Sequence, residues 1–140
     1  MSTDTPLAGK GALITGASAG IGREAARLLA EDGADVAIAA RREAVLEEVA
    51  SEITEETDAK VEIVPTDVSE EDQVDAMVET AVGAFDGLDV VVNNAAIGTA
   101  RSVTVEDLPT DQYRDVMSVN TDGMFFTARA AIPHLRESRG

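Results

Sequence analysis

Three glycines stand close together in the segment Thr15-Gly16-Ala17-Ser18-Ala19-Gly20-Ile21-Gly22. An apolar run that ends at Thr15 precedes these glycines, and a stretch with helical spacing of apolar residues follows them. Where a strand turns into a helix, the free N–H groups and the positive end of the helix dipole can hold a phosphate. Side chains at the glycine positions would block the turn, the approach of a pyrophosphate to the backbone and the packing of helix on strand. The segment therefore predicts a phosphate site, and a tight turn without a ligand is the alternative.

Strands and helices must alternate along the chain to position this turn. Short apolar runs predict the four strands Gly11 to Thr15, Asp35 to Ala40, Val61 to Pro65 and Leu88 to Asn93. Helical periodicity predicts the helices Ile21 to Asp32, Glu43 to Glu56, Ser69 to Phe85 and Thr110 through Ile132 or beyond. The connections are long enough for right-handed crossovers, so the pattern predicts a parallel sheet with helices on both faces.

Several local features of these helices are specific enough to test. The first helix carries an apolar stripe of Ile21, Ala25, Leu28 and Leu29, and Gly33 follows it as a C-cap. Ser69 stands three residues before Asp72 and is expected to cap the third helix, as Thr110 is expected to cap the last. Tyr113 is expected to pack that last helix onto the sheet.

The glycine turn has the form Thr-Gly-x-x-x-Gly-Ile-Gly and resembles that of the short-chain dehydrogenase/reductase family. Three further motifs match the family in the same order along the chain: Asp67-Val68, Asn93-Asn94-Ala95-Ala96, and Asn120 within Val119-Asn120-Thr121-Asp122-Gly123. One departure is that Ala96 stands where the family usually has Gly. The resemblance covers essentially the whole chain and implies an oxidoreductase that passes hydride between a nicotinamide cofactor and a small-molecule carbonyl or alcohol.

The fold class that the resemblance implies is α/β, a Rossmann-type doubly wound parallel sheet of four strands in the order 3-2-1-4. Residues 1–140 are then one NAD(P)-binding domain, cut at the end of the fifth helix and incomplete relative to the family fold. A fifth strand would be missing beside the fourth, which would leave a bare edge, and the last helix joins a bundle between subunits in the family. We therefore expect a homo-oligomer.

The end of the second strand selects the cofactor. An acid there hydrogen-bonds the ribose of NAD, whereas this chain has Arg41 and Arg42, and Arg41 can bind a 2′-phosphate with two parallel bonds. NADP(H) is the preferred cofactor. NAD(H) binding stays possible, because Ala19 stands where many NADP-using relatives have a second basic residue. The alternative for the arginine pair is that it is simply the solvated start of the second helix.

The predicted cofactor-binding residues come from the glycine turn, the arginine pair and the motifs shared with the family. By the resemblance, Asp67 and Val68 flank the adenine, and Asn93 and Ala95 line the ribose side. Asp67 capping a turn and Asn93 bonding loop backbone are the alternatives. The full set is Thr15, Gly16, Ser18, Ala19, Gly20, Ile21, Gly22, Arg41, Arg42, Asp67, Val68, Asn93, Ala95 and Ala96.

Asn120 is the one catalytic candidate, because it matches the family's Asn that completes a proton relay. An Asn that bonds only backbone is the alternative. The family's Ser and Tyr-x-x-x-Lys are missing from these 140 residues, since Tyr113 is the only tyrosine and Met117 follows it by four. Activity of these residues alone is therefore doubtful, and a non-catalytic nucleotide-binding module or remnant is the alternative function.

The composition excludes other classes. With 27 acidic and 11 basic residues, the net charge of −16 argues against a nucleic-acid partner. Such self-repulsion is screened in strong salt, which favours a halophilic source over an ordinary acidic protein. There is no cysteine and no run of about 20 apolar residues, so thiolate chemistry and a membrane span are excluded. The single His134 has no metal-ligand companion, and without a signal sequence the expected compartment is the cytoplasm.

Overall fold

The computed structural model describes residues 5–99 and 103–138, and it contains one parallel sheet of four strands within them. The strands are β1 (Gly11–Thr15), β2 (Asp35–Ala40), β3 (Val61–Pro65) and β4 (Val90–Val92), in the order β3-β2-β1-β4. Their pairing is parallel throughout, so all carboxyl ends meet at one edge of the sheet. The predicted Rossmann-type sheet and its strand order are confirmed.

Helices cover both faces of this sheet. They are α1 (Gly20–Glu31), α2 (Glu43–Glu56), α3 (Glu71–Phe85), α4 (Thr110–Met117) and α5 (Met124–Ser138). A 3₁₀ turn, Val105–Asp107, precedes α4, and a π turn, Ser118–Gly123, joins α4 to α5. Residues of α1 and α2 pack on one face, and residues of α3 and α5 pack on the other.

The core therefore has two halves, one on each face of β1 and β2. Leu13 lies in one half with Met77 of α3, and Ile14 lies in the other with Leu46 of α2. All four side chains are fully buried, and burial of each contributes about 1.5–3 kcal/mol. The core is aliphatic, and it holds in place the strands that carry the site.

The predicted apolar stripe of α1 is right for Leu29, which packs against the core, and for the half-buried Ala25, but wrong for its other two residues. Ile21 is 78% exposed and Leu28 is 47% exposed, whereas the buried positions are Gly22, Ala26 and Ala30. Small residues face inward because α1 lies close to the sheet, and a larger side chain would hold it away. The end of α1 follows the prediction: Gly33 has φ +104, and its N–H donates to the carbonyl of Ala30.

Two element starts also differ from the sequence pattern. Ser69 does not cap α3, because its hydroxyl donates to the Asp67 carboxylate at 2.7 Å and the N-cap is Glu70. β4 begins at Val90 instead of Leu88, since Leu88 is buried before the strand and Asp89 bonds back to Gly11.

The last helical region is not one plain helix capped by Thr110. Pro109 is the N-cap, Thr110 is already helical, and the π turn interrupts the helix before α5 continues past Pro133 to Ser138. Tyr113 is 52% exposed, so it does not pack α4 onto the sheet. Within the described ranges, no helix has the length and apolar character that a membrane crossing requires.

Candidate cofactor-binding site

A cleft of about 420 Å³ opens at the carboxyl edge of the sheet. Its walls come from the turn after β1, the end of β2, and the loops after β3 and β4. Among the predicted residues, those that line it are Gly16, Ser18, Arg41, Arg42, Asp67, Val68, Ala95 and Ala96. Thr66 and Val119 also line it, and sequence reasoning missed both as site residues. Their only signal was adjacency to the motif residues Asp67 and Asn120.

Glycine is needed at the different positions of the turn for different physical reasons. Gly16 has φ +65, and a Cβ there would lie 2.8 Å from Nδ2 of Asn94. A Cβ at Gly22 would lie 2.2 Å from the carbonyl oxygen of Gly16, which leaves no room for a side chain. Gly20 has φ +57, but a Cβ there meets nothing within 4 Å. Gly16 and Gly22 therefore allow close packing, whereas Gly20 supplies only a left-handed backbone conformation.

The amino end of α1 points into this turn. Ala19 is the N-cap in an extended conformation, without a side-chain hydrogen bond to the helix. The first turn of α1 contains no acidic residue, whereas the first turns of α2 and α3 do. The N–H groups near Gly20 and Ile21 can therefore bind an anion without a competing carboxylate.

Thr15 ties the turn to the loop after β4 and does not line the cleft. Its buried hydroxyl accepts hydrogen bonds from the backbone N–H groups of Asn94 at 2.9 Å and Ala95 at 3.0 Å. Nδ2 of Asn94 in turn donates to the carbonyl of Gly16 at 3.3 Å. These bonds fix two walls of the cleft relative to each other.

The arginine pair lies at the end of β2, where both side chains are exposed and line the cleft. Within the part of the chain that the structure describes, the ion pairs involve other residues, and neither Arg41 nor Arg42 lies within 4.0 Å of a carboxylate. Both guanidinium groups are thus available to a phosphate.

Asp67 is held by four hydrogen bonds in the loop after β3, one of them from the N–H of Glu70 to its backbone carbonyl at 3.1 Å. Its Oδ1 accepts from the N–H of Ser69 at 3.0 Å and from the hydroxyl of Ser69 at 2.7 Å. Its own N–H donates to Oε1 of Gln73 at 2.9 Å. Asp67 therefore caps a turn, which is the role that the alternative interpretation gave it. Its neighbour Val68 lines the cleft and is only 7% exposed.

The two predicted asparagines, Asn93 and Asn120, lie behind the cleft wall. Nδ2 of Asn93 donates to the carbonyl of Met124 at 3.0 Å. The amide of Asn120 bonds both the N–H and the carbonyl of Ile97 at 2.8 Å each. Both side chains are thus engaged with backbone groups, which is the arrangement that the alternatives describe. Among the described residues, no cluster of three His, Asp or Glu side chains is placed to hold a metal ion.

Comparison with known proteins agrees with this geometry. Residues 10–140 match the family described as short chain dehydrogenase. An uncharacterized oxidoreductase of Staphylococcus aureus strain USA300 is 38% identical over 133 residues, which cover 95% of this chain and 55% of that protein. The chain thus spans about half the length of the curated relatives it matches.

Solved structures show the same likeness. L-sorbose reductase from Gluconobacter frateurii, complexed with NADPH and L-sorbose, matches with TM-score 0.87 and 32% identity, over 97% of this chain and 51% of that one. The 3-ketoacyl-(acyl-carrier-protein) reductase from Brucella melitensis, complexed with NADH, matches with TM-score 0.86 and 40% identity, over 94% of this chain and 52% of that one.

Proposed function

Because the chain belongs to the short-chain dehydrogenase/reductase family, we propose that it forms the NADP(H)-binding part of an oxidoreductase acting on a carbonyl or alcohol. When bound, NADPH would supply hydride to a carbonyl, and NADP⁺ would accept hydride from an alcohol. Residues 1–140 would be one cofactor-binding domain, and the family's Ser and Tyr-x-x-x-Lys would lie in the part of the relatives that this chain does not span.

The observation that carries the proposal is one cleft that joins a glycine turn at a helix amino end to an exposed arginine pair. The turn from Gly16 to Gly20 would hold the pyrophosphate, because Gly16 and Ser18 line the cleft, the free N–H groups at the start of α1 follow at Gly20, and a Cβ at Gly20 would meet nothing within 4 Å. Asp67 and Val68 would flank the adenine, and Asn93 and Ala95 would support the ribose side from the loop after β4.

The preference for NADP(H) rests on the arginine pair. The solved relatives include one complexed with NADPH and one complexed with NADH, so the likeness alone does not choose between them. Arg41 and Arg42 make no ion pair within the described residues and line the cleft, where a guanidinium can hold a 2′-phosphate. NAD(H) is the weaker ligand in this account.

Asn120 would contribute to the proton relay as a group on the π turn. Its side-chain amide is already bonded to both the N–H and the carbonyl of Ile97, so its contribution would be to hold the loop after β4 in position next to the relay.

We also propose a homo-oligomeric, cytoplasmic protein of a halophile. Support for oligomers comes from the apolar side chains that α4 and α5 leave exposed, among them Met117, Phe125 and Ile132. The net charge of −16 supports a salt-rich setting.

Titration with NADPH, followed by nucleotide fluorescence and calorimetry, tests the proposal. Gly20→Asp and Gly20→Asn form a matched pair, because both residues tolerate a left-handed backbone and the site is open. The aspartate would also favour the α1 dipole, so a loss of binding would not reflect unfolding. We expect Gly20→Asp to bind NADPH at least about tenfold more weakly than Gly20→Asn, through charge repulsion.

Two results would change this account. Equal affinities of the two Gly20 variants for NADPH would show that the turn does not bind the phosphates. Strong NADPH binding by the longest natural form of the protein, with no reduction across a panel of carbonyl compounds, would favour the non-catalytic nucleotide-binding module. The missing Tyr-x-x-x-Lys in these 140 residues is the observation behind that alternative.

A further inference from the structure

The π turn between α4 and α5 contacts the loops that follow β3 and β4, which are the two edge strands of the sheet. Its Asn120 holds Ile97 of the loop after β4, and its Gly123 lies against Val68 of the loop after β3. π turns inside helices are rare and occur frequently at functional sites. This one connects opposite walls of the cleft.

Gly123 is buried, and its neighbourhood has no room for a side chain. A Cβ there would lie 2.7 Å from Cγ2 of Val68, 3.0 Å from its carbonyl oxygen and 3.2 Å from its Cβ. Gly123 is not among the glycines with positive φ, so the backbone does not require glycine for its conformation. Space for Val68 is the physical reason for glycine at this position.

Val68 lies between the π turn and the cleft. It is 7% exposed and lines the cleft beside Asp67. On the α3 side the loop is held, because Asp67 is bonded to Ser69 and Gln73. A side chain at position 123 would therefore push Val68 toward the cleft, which narrows it next to Asp67.

We infer that Gly123 is a positioning residue, whose missing side chain sets where Val68 stands and hence how well the cleft accepts the adenosine half of NADP(H). The inference rests on the proposed function, since it concerns the same cleft. Gly123 acts through Val68 and touches no cofactor atom in this account.

The test is Gly123→Ala, with NADPH affinity measured on the full protein. We expect the dissociation constant to rise about tenfold, because binding of the adenosine half must push the displaced Val68 back against the added methyl group, and the overpacking is then felt in the bound state. The affinity for adenosine 2′,5′-bisphosphate should fall by a similar factor, whereas the affinity for nicotinamide mononucleotide should be unchanged. General destabilisation would instead weaken both halves or lower the fraction of active protein.

Gly83→Ala is the matched control, because Gly83 is an exposed helical glycine whose added Cβ meets nothing within 4 Å. It should leave the affinity unchanged. In a Val68→Ala background, Gly123→Ala should lower the affinity clearly less than it does with Val68 present, because the shortest contact, with Cγ2, is gone and only the contacts with the carbonyl oxygen and Cβ of residue 68 remain. A full tenfold loss in that background would overturn the inference.

The outcomes separate the two proposals. If the unaltered protein does not bind NADPH, the proposed function and this inference both fail. If it binds NADPH and Gly123→Ala binds equally well, only this inference fails. Should Gly123→Ala not fold, Val68→Ile adds bulk to the same gap and should weaken NADPH severalfold; unchanged affinity of that variant overturns the inference.

Discussion

The side-chain amide of Asn120 pairs with the backbone of Ile97, 23 residues earlier in the chain, as one amide pairs with another. The N–H of Ile97 donates to Oδ1, and Nδ2 donates to the carbonyl of Ile97, each at 2.8 Å. Both ends of the part-buried amide thereby have partners, and the loop after β4 is fixed to the π turn.

Asn120→Asp should destabilise the protein at pH 7 by about 1–3 kcal/mol, because a carboxylate accepts from the N–H of Ile97 but faces its carbonyl without a proton to donate. A protonated acid can again donate to the carbonyl of Ile97, so the loss of stability relative to the unaltered protein should be smaller at low pH than at pH 7. Urea unfolding at pH 7 and pH 4.5, referenced to the unaltered protein at each pH, measures this. Equal stability of both proteins at pH 7 would show that the second bond contributes nothing.

Thr127→Val should stabilise the protein by about 1 kcal/mol. The Thr127 hydroxyl is fully buried, and it has no hydrogen-bond partner among the described residues, so its removal ends a desolvation cost. Thr66→Val is the matched control, since the equally buried Thr66 hydroxyl donates to the Val64 carbonyl at 3.1 Å, and this change should destabilise. Thermal unfolding of both variants decides the matter, and a lower melting temperature for Thr127→Val would contradict the assignment.

The exposed ion pair between Arg23 and Glu52 connects α1 to α2 and predicts a pH dependence. The hydrogen bond from Arg23 lowers the pKa of Glu52, so the pair stabilises the folded state above the unfolded pKa and loses that effect as pH falls through the folded one. Glu52→Gln should therefore unfold at slightly lower urea than the unaltered protein at pH 7 and at the same urea near pH 2.5. Glu55→Gln is the control, because Glu55 lies on the same helix without an ion pair in the described part of the chain. It should leave the urea midpoint unchanged at both pH values.

Stability should rise with KCl concentration. At a net charge of −16 the carboxylates repel each other, and at about 1 M salt the Debye length of roughly 3 Å screens most of this repulsion. Urea midpoints measured from 0.1 to 2 M KCl should increase steadily, beyond the modest rise of a near-neutral reference protein. Equal stability at low and molar KCl would argue against a halophilic source.

The fold was predictable because its strands are short apolar runs bounded by turns. Leu13 and Ile14 sit in one such run, buried on both faces as a parallel strand requires. The face of α1 was not predictable from hydrophobicity, because the close approach of helix to sheet selects Ala26 and Ala30 over Ile21 and Leu28. Periodicity records which residues are apolar, and the distance between layers decides which of them fit.

The site was predictable where a motif fixes backbone geometry and less so where side chains choose among partners. The Gly16 turn and the arginine pair stand at the ends of strands, where parallel pairing brings them together. Ser69 could cap α3 or bond Asp67, and local distance decided for Asp67. The π turn was not predicted, because its six residues are mostly polar and offer too few apolar positions to show a change of spacing.

The affinities of NADPH and NADH for Arg41→Asp test the central claim most directly. The unaltered protein should bind NADPH at least about tenfold more tightly than NADH, and Arg41→Asp should reverse the order, because the carboxylate repels the 2′-phosphate and accepts from the ribose hydroxyls. Arg136→Asp, the same charge change at an exposed site on α5, should keep the preference of the unaltered protein. If Arg41→Asp still prefers NADPH, the account of this cleft is wrong.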